Sequence, residues 1–301
     1  MKHNQLIFVV ALIMIAAFFA YAQPYCPESD FRAEPIDDGR SMMIIGYAGG
    51  DRVVNIPSRI SNLPVTHIGN QAFARIQLTS VTIPGTVTHI GDNAFADNQL
   101  NSVTIPDSVT HIGNWAFAGN QFSRVSIPAS VVSIRAGPFA GNQELTAIDV
   151  SPLNSNYSSV NGVLYNKTGT TLIQWPAGLS GTVSIPDNVT HIGDSAFAHN
   201  RFSSIIIPDG VTHIGDSAFT DNRFTSIIIP NSVIHIGRWA FAGNQLTSVT
   251  FDGAETILEG IFTSFMGNLR TLYLNSGAGT FTRPNARSTD WERYTGGLRT
   301  I

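Results

Sequence analysis

The chain has 301 residues, of which only 13% are charged, and its formal net charge at pH 7 is −4. Nucleic-acid binding depends on clustered Lys and Arg side chains that displace counterions, and the sequence has no such cluster, so nucleic acid is excluded as a partner. The scarcity of charge predicts a surface of Ser, Thr, Asn and Gly, which suits contact with proteins or glycans outside the cell.

The first residues are typical of a secretory signal peptide. Residues 6–19 form an apolar run, and residues 20–22 read Ala-Tyr-Ala, a small-residue cleavage site. We interpret residues 1–22 as a signal peptide and expect an exported protein at the cell surface, in the periplasm or secreted. No later apolar run approaches about 18 residues, so the mature chain is expected to have no membrane span. The single cysteine, Cys26, is either a plain tail residue or the site of a lipid.

A block of about 22 residues recurs along most of the remaining chain. A fixed period in this range is the signature of a solenoid, in which each repeat forms one coil. We predict about ten coils over residues 51–275, with an N-terminal cap at residues 23–50 and a C-terminal cap or tail at residues 276–301. The prolines that mark the period are Pro84, Pro106 and Pro128, then Pro186, Pro208 and Pro230.

Each coil begins with the spacing Leu-x-x-Val-x-Ile, as in Leu100, Val103 and Ile105. Alternating apolar residues predict a short strand with one buried face, and the following proline ends it. Val-Thr-His-Ile-Gly then predicts a second extended edge. Next, an Asp or Asn is interpreted as the N-cap of a brief helical or 3₁₀ turn. The phenylalanines predicted to fill the core are Phe73, Phe95, Phe117, Phe197, Phe219 and Phe241.

An asparagine ends most coils. We predict that its amide satisfies backbone groups at a buried bend, in preference to a role in binding a ligand. The residues concerned are Asn98, Asn120, Asn142, Asn200, Asn222 and Asn244.

The combined pattern Leu-x-x-Val-x-Ile-Pro-x-x-Val-x-x-Ile-Gly-x-x-Ala-Phe resembles the leucine-rich repeat of the BspA or Treponema pallidum type. The resemblance covers most of residues 42–275, with Asn where many repeats of that family carry Cys. It implies a β-rich α/β solenoid: a curved, right-handed leucine-rich repeat array with a concave parallel β-sheet. It also implies a surface protein that adheres to matrix proteins such as fibronectin.

The repeat is interrupted after residue 150. Two β-rich runs, residues 160–165 and 171–175, flank a Gly-containing turn and predict an inserted hairpin at about residues 152–182. Tyr157, Tyr165 and Trp175 allow a second interpretation, in which they form an aromatic platform for a ligand.

A histidine recurs at one position of six coils. We favour a solvated ladder of imidazoles, with a pH-sensitive role and a metal site as alternatives. Zn²⁺ needs convergent tetrahedral ligands, which rings side by side do not supply, so no metal or other cofactor is predicted. The histidines are His67, His89, His111, His191, His213 and His235.

The trio Gly193-Asp194-Ser195 near a histidine raises the alternative of a hydrolase. Sister coils lack both the Asp and the Ser, as at Asn114 and Trp115, whereas catalysis needs one unique constellation. We therefore interpret the trio as scaffold and predict that the protein is not an enzyme.

The best candidate for a binding surface is the outward side of the predicted concave strands. Most of its residues carry small hydroxyl groups, but Ile206 and Ile228 form an apolar patch of the kind that often marks a partner contact. The alternative is strand propensity without a ligand. The candidate binding residues are Ser80, Thr82, Ser102, Thr104, Arg124, Ser126, Ser204, Ile206, Ser226, Ile228, Ser248 and Thr250.

These observations predict an exported, non-enzymatic binding protein that contacts host or cell-surface macromolecules through its repeat surface. Its partner is expected to be a protein or a glycan, with an extracellular matrix protein as one candidate. The alternative is a scaffold or self-assembly protein in the envelope of the producing cell.

Overall fold

The computed structural model of the protein describes residues 25–179, 183–253, 257–258, 278–284, 287–288 and 290–293. The predicted signal peptide, residues 1–22, lies outside the described residues. The described residues form a β-solenoid of about nine turns, fewer than the predicted ten. Their one helix is a 3₁₀ helix, Glu28–Asp30.

In chain order the strands are β1 (Phe31–Ile36), β2 (Ser41–Tyr47), β3 (Val53–Asn55), β4 (Arg59–Ile60), β5 (Leu63–Ile68), β6 (Ser80–Thr82), β7 (His89–Ile90), β8 (His111–Ile112), β9 (Arg124–Ile127), β10 (Ser133–Ile134), β11 (Ala147–Val150), β12 (Tyr157–Val160), β13 (Val163–Asn166), β14 (Thr171–Gln174), β15 (His191–Ile192), β16 (His213–Ile214), β17 (Ser226–Ile229), β18 (His235–Ile236), β19 (Ser248–Phe251), β20 (Ile257–Leu258), β21 (Gly279–Thr282) and β22 (Glu292–Arg293).

The repeated histidine and isoleucine form one edge of each coil, which we call the His-Ile face. Its strands, most of them two residues long, pair parallel and in register, so that His89 lies beside His67 on one side and His111 on the other. One sheet runs in the order β1-β2-β5-β7-β8-β10, with β4 paired to β5. The second runs in the order β12-β13-β14-β15-β16-β18-β20. Since β1 is antiparallel to β2, a hairpin lies at the N-terminal end of the first sheet.

The Leu-x-x-Val-x-Ile segments form the second edge, which we call the Leu-Val-Ile face. Its strands are parallel where they pair in the array, β3 with β6, β9 with β11 and β17 with β19. Exposed and buried residues alternate along β9 and β17, which confirms a strand with one buried face. The longer sheets nevertheless lie on the His-Ile face. Where neighbouring Leu-Val-Ile segments do not pair as strands, backbone hydrogen bonds near the start of the segments join the coils. For example, the Gln99 N–H donates to the Leu78 carbonyl at 2.8 Å. Curvature and handedness stay predictions.

The third edge runs from the glycine to the asparagine of each coil, and we call it the Ala-Phe edge. The predicted helical turn, and with it the α/β label, is wrong for the described residues, because this edge consists of tight turns. Asn93 and Asp97 have φ of +54° and +56°, a left-handed conformation that interrupts a right-handed helix. Asp92 is no N-cap: its Oδ1 accepts a hydrogen bond from the backbone N–H of Asn114 in the next coil, at 2.7 Å.

The six predicted core phenylalanines are all buried, and their rings stack from coil to coil. The ring centroids of Phe73 and Phe95 are 5.1 Å apart, and those of Phe95 and Phe117 are 5.3 Å apart. This spacing is close to the distance of about 4.8 Å between paired strands, because each ring belongs to one coil. The prediction that phenylalanine fills the core is confirmed.

The asparagine ladder is confirmed at five of its six positions. Asn120 is typical: its Nδ2 donates to the Phe95 carbonyl of the preceding coil at 2.9 Å, and its Oδ1 accepts from the Leu100 N–H at 3.1 Å. Asn200 is the exception, since it is buried but neither of its amide atoms has a hydrogen-bond partner in the described part of the chain. The coil before Asn200 is the irregular one that contains the insert.

Within the insert, β13 and β14 pair antiparallel, and β14 continues the His-Ile face by pairing with β15. Trp175 takes the place of the core phenylalanine, with its ring 5.5 Å from that of Phe197. The chain then returns at once to the Leu-Val-Ile face, where Gly178 N–H donates to the Leu145 carbonyl at 2.8 Å. This coil therefore lacks an Ala-Phe edge. In consequence Ala140 and Ala198, which lie in the coils before and after it, belong to one apolar cluster.

The alternative of an aromatic ligand platform in the insert is wrong. Tyr165 and Trp175 are buried in the core, with 4% and 7% of their surface exposed. The hydroxyl of Tyr157 is engaged with the backbone, because it accepts from the Ile134 N–H at 2.8 Å. These rings hold the insert against the neighbouring coils.

An antiparallel strand lies at the C-terminal end of the Leu-Val-Ile face. β21 pairs with β19, and Phe281 lies 6.0 Å from Phe251 between ring centroids. Trp291 is buried, and the Arg283 guanidinium lies 4.7 Å from the centroid of its ring. These residues cover the apolar end of the last described coil.

Replacing two asparagines of the ladder by leucine should have opposite results. Asn120→Leu leaves the buried Leu100 N–H unpaired, at a cost of about 1–3 kcal/mol, and removes one of the two amides that donate to the Phe95 carbonyl, so the unfolding midpoint in urea should fall clearly. Asn200→Leu removes a buried amide without partners, so the midpoint should be unchanged or higher. Equal losses in both variants would contradict the ladder as the stabilising element.

Candidate functional site

The predicted binding residues lie on the outward side of the Leu-Val-Ile face. Ten of the twelve are exposed, and Ser248 and Thr250 are half-buried because β21 lies beside β19. The side chains form columns that run from coil to coil, with Ser226 beside Ser248 and Ile228 beside Thr250. The fold thus brings these residues onto one surface. That they bind a partner stays a prediction.

Ile206 and Ile228 stand out from this surface. Their exposed fractions are 78% and 59%, and they occupy the same position in consecutive coils. The same column carries Thr82, Thr104 and Ser126 in the first half of the array. Exposed isoleucine gains no burial within the chain, so the patch offers free energy only to a partner that covers it, at about 25 cal/mol per Å².

Two aspartates lie beside the apolar patch, and the sequence analysis missed them. A cavity of about 650 Å³ is lined by Ile206, Asp187 and Asp209. Neither carboxylate forms an ion pair within the described residues. The sequence signal is an Asp directly after the landmark proline in consecutive coils. The patch therefore combines an apolar surface with uncompensated negative charge.

The corresponding cavity in the first half of the array has a different character. It has a volume of about 600 Å³ and is lined by Thr104, Ser126, Arg124 and Asp149. Arg124 Nη2 donates to Asp149 Oδ1 at 3.0 Å, and this hydrogen bonding raises the pKa of Arg124. Asp107 also lines this cavity without an ion pair in the described residues, as Asp187 does in the Ile206 cavity. The two cavities therefore differ in the paired Arg124 and Asp149, and in the hydroxyl groups of Thr104 and Ser126 where the other has exposed isoleucine.

The histidines form two stacks on the His-Ile face. The rings of His67, His89 and His111 are 4.3 Å apart between centroids and nearly parallel, with 10° between planes. The second stack is His191, His213 and His235, at 4.5 and 5.6 Å. The predicted ladder of imidazoles is therefore present.

Hydrogen bonds determine which ring nitrogen carries the proton. Thr88 Oγ1 donates its single hydrogen to the Thr66 carbonyl at 3.1 Å, and it lies 2.8 Å from His89 Nδ1. Since that hydroxyl hydrogen is already used, His89 Nδ1–H must be the donor, which leaves Nε2 as an acceptor. The same pair of contacts occurs at Thr110 with His111 and at Thr212 with His213.

The metal and hydrolase alternatives find no support in the described part of the chain. There, no group of three or more His, Cys, Asp or Glu side chains is placed to hold a metal ion. Ser195 is buried, and Asp194 Oδ1 accepts from the Asp216 backbone N–H at 2.8 Å. The trio that includes Gly193 joins neighbouring coils, as its counterparts do elsewhere in the array.

Burial, with repulsion from other imidazoles, lowers the pKa of three histidines below the ordinary value of 6.5. For His67 and His89 the main cause is burial, and neighbouring imidazoles lower the pKa further while Asp37 raises it. For His213 burial is again the main cause, followed by repulsion from His191 and His235. The charged form of these rings is therefore disfavoured in the folded chain.

Acidification should destabilise the fold. Because these histidines have a lower pKa folded than unfolded, the unfolded chain binds more protons, so stability is full above about pH 6.5 and falls as the pH drops below it. Urea midpoints measured from pH 8 to pH 5 should decrease. In a control with His67→Ser, His89→Ser and His213→Ser the decrease should be smaller, since Ser133 already occupies this position in its coil. A flat profile for the unaltered protein would contradict the argument.

In the described part of the chain, no helix is long and apolar enough to cross a membrane.

Comparison with known proteins identifies the repeat. The BspA-type leucine-rich repeat region matches residues 66–180 and 179–284, in six copies. No match is found among curated proteins. A leucine-rich repeat protein from Eubacterium ventriosum is 30% identical, with 75% of this chain and 71% of that chain covered and a TM-score of 0.59. The pneumococcal vaccine antigen PcpA is 21% identical, with 76% and 68% covered and a TM-score of 0.50, and supports the fold alone.

The matched residues contain the coils with the stacked phenylalanines, the asparagine ladder and the parallel strands of both faces. The chain therefore belongs to the BspA-type leucine-rich repeat family.

Proposed function

We propose that the protein is an exported, non-enzymatic binding protein that contacts host or cell-surface proteins through its Leu-Val-Ile face. The observation that carries the proposal is the pair Ile206 and Ile228, exposed in consecutive coils on a surface where most of the other candidate residues carry hydroxyl groups. The apolar run and cleavage site in residues 1–22 support export to the surface, the periplasm or the medium.

The chemistry around the patch specifies the partner. Asp187 and Asp209 lie beside Ile206 without an ion pair in the described residues, so the partner presents an apolar side chain next to Lys or Arg. An extracellular matrix protein is the first candidate. Similar coils repeat the hydroxyl-lined surface on both sides of the patch, so weak contacts add to the central one.

The double variant Ile206→Thr with Ile228→Thr tests the patch. Threonine occupies the same column at Thr104 and Thr250, so the fold should tolerate both changes. Each substitution should remove about 1 kcal/mol of binding free energy, because less apolar surface is buried against the partner. Together they should weaken the affinity for fibronectin or another matrix protein at least about tenfold. Surface plasmon resonance measures the affinity.

Leu153→Thr is the matched control, because Leu153 is 84% exposed but lies in the insert, away from the patch. It should leave the affinity unchanged. If the double variant bound as tightly as the unaltered protein, or if Leu153→Thr weakened binding equally, the patch would not be the contact surface.

Protease treatment of intact producing cells tests the location. A protein that contacts host macromolecules should be cleaved on intact cells at the same protease concentration that cleaves the purified protein. Complete protection on intact cells, with cleavage after the outer envelope is opened, would instead favour a scaffold or self-assembly protein inside the envelope.

A further inference from the structure

A cavity on the Ala-Phe edge lies where the regular repeat is broken. It has a volume of about 470 Å³, and its lining includes Asp97, Trp115 and Gln143 from before the insert and His199 from after it. The two parts touch directly: Gln143 Nε2 donates to the His199 carbonyl at 2.8 Å, and the ring centroids of Trp115 and His199 are 5.3 Å apart. Such contacts arise once in the described array, because only the insert coil lacks its Ala-Phe edge.

Two glycines leave this cavity open. The residue two positions after the core aromatic residue has a left-handed backbone in these coils, with φ of +56° at Asp97, +64° at Gly119, +72° at Gly141 and +56° at His199. Asp97 and His199 thus carry side chains on either side of two residues that have none. At about 4.8 Å per coil they are roughly 14 Å apart along the array.

The walls of the cavity offer hydrogen-bonding groups that are not used within the chain. Within the described residues, neither the Asn93 amide nor the indole N–H of Trp115 has a hydrogen-bond partner. Asp97 uses Oδ2 to accept from Arg75 Nε at 2.9 Å, while its Oδ1 leans over Gly119, 2.5 Å from where a Cβ would stand. An amide, a carboxylate oxygen and an indole N–H therefore line one concave site.

The charged side chains Asp97 and Arg75, which line the cavity, are paired with each other. His199 Nδ1 lies 3.3 Å from an Asp221 oxygen, and this ring carries charge only when it is protonated. A strongly charged ligand would find little uncompensated charge here, unlike beside Ile206. The site therefore favours a neutral ligand that has both an apolar face and several hydroxyl groups.

We propose that this cavity binds a pyranose ring of a neutral glycan. A pyranose has a face of C–H groups that packs on an indole ring, and its equatorial hydroxyls lie in one plane. Planar amide and carboxylate groups at Asn93, Gln143 and Asp97 bond such hydroxyls in pairs. The site is on a different edge from the Leu-Val-Ile face, so it does not depend on the function proposed for that face.

Isothermal titration of the full-length protein with neutral sugars tests the proposal. The probes are glucose, galactose, mannose, fucose, N-acetylglucosamine and N-acetylgalactosamine, with their common disaccharides. At least one should bind with a Kd on the order of 1 mM or tighter. Binding should fall at least tenfold in Trp115→Asn, which removes the aromatic wall and reproduces Asn93 of the preceding coil.

A second variant and a control separate loss of the site from loss of the fold. Gly141→Arg should fill the cavity while preserving the fold, because Arg75 occupies the same position with φ of +59°. Trp239→Ser should bind as the unaltered protein does, because Trp239 takes this repeat position outside the cavity and sister coils carry Ser there. The proposal is overturned if no neutral sugar binds, if only charged sugars bind, or if binding survives both cavity variants.

Discussion

No coil of this solenoid satisfies its own backbone, and the hydrogen bonds between coils are the constraint on which the structure depends. On the Ala-Phe edge the N–H of Phe95 donates to the Ala116 carbonyl at 2.8 Å, and at the buried corner Asn120 Nδ2 donates back to the Phe95 carbonyl at 2.9 Å. An isolated coil would leave groups such as the Phe95 N–H unpaired, at about 1–3 kcal/mol each. Each coil is therefore stable only between neighbours, as in other solenoids.

The same constraint makes the insert consequential. A coil without an Ala-Phe edge withdraws the bonds that the adjacent coils would use, and the buried Asn200 is left with no partner among the described residues. The coils on either side meet instead through alanines and through the contact of Trp115 with His199. A regular array offers the same surface many times over, whereas this junction offers one surface that no other coil reproduces.

Periodicity predicted the features that every coil repeats. Phe95 and Asn98 were placed correctly because stacking identical coils leaves one interior position for a ring and one buried bend for an amide. The turn after each glycine was predicted wrongly, as a helical turn, because Asp and Asn are favoured both as helix N-caps and in left-handed turns. The hydrogen bond that decides between these two structures, from the Asn114 N–H to Asp92, comes from another coil. The outward position of Ile206 followed from strand alternation. Asp187 beside it depended on contacts between coils.

Departures from the repeat carry the functional information in such a chain. Where a column varies among Thr, Ser and Ile, as at Thr104, Ser126 and Ile206, the packing of the coil does not select the side chain, so an exposed isoleucine reflects either strand propensity or a partner. The opposite holds for the buried columns, whose residues barely change because neighbouring coils need them. By this criterion the patch at Ile206 and the junction at Trp115 are comparable: each breaks the pattern at a position that neighbouring coils leave open. The first presents unpaired negative charge beside apolar surface and the second presents balanced charge beside an aromatic wall, so the two sites suit chemically different partners.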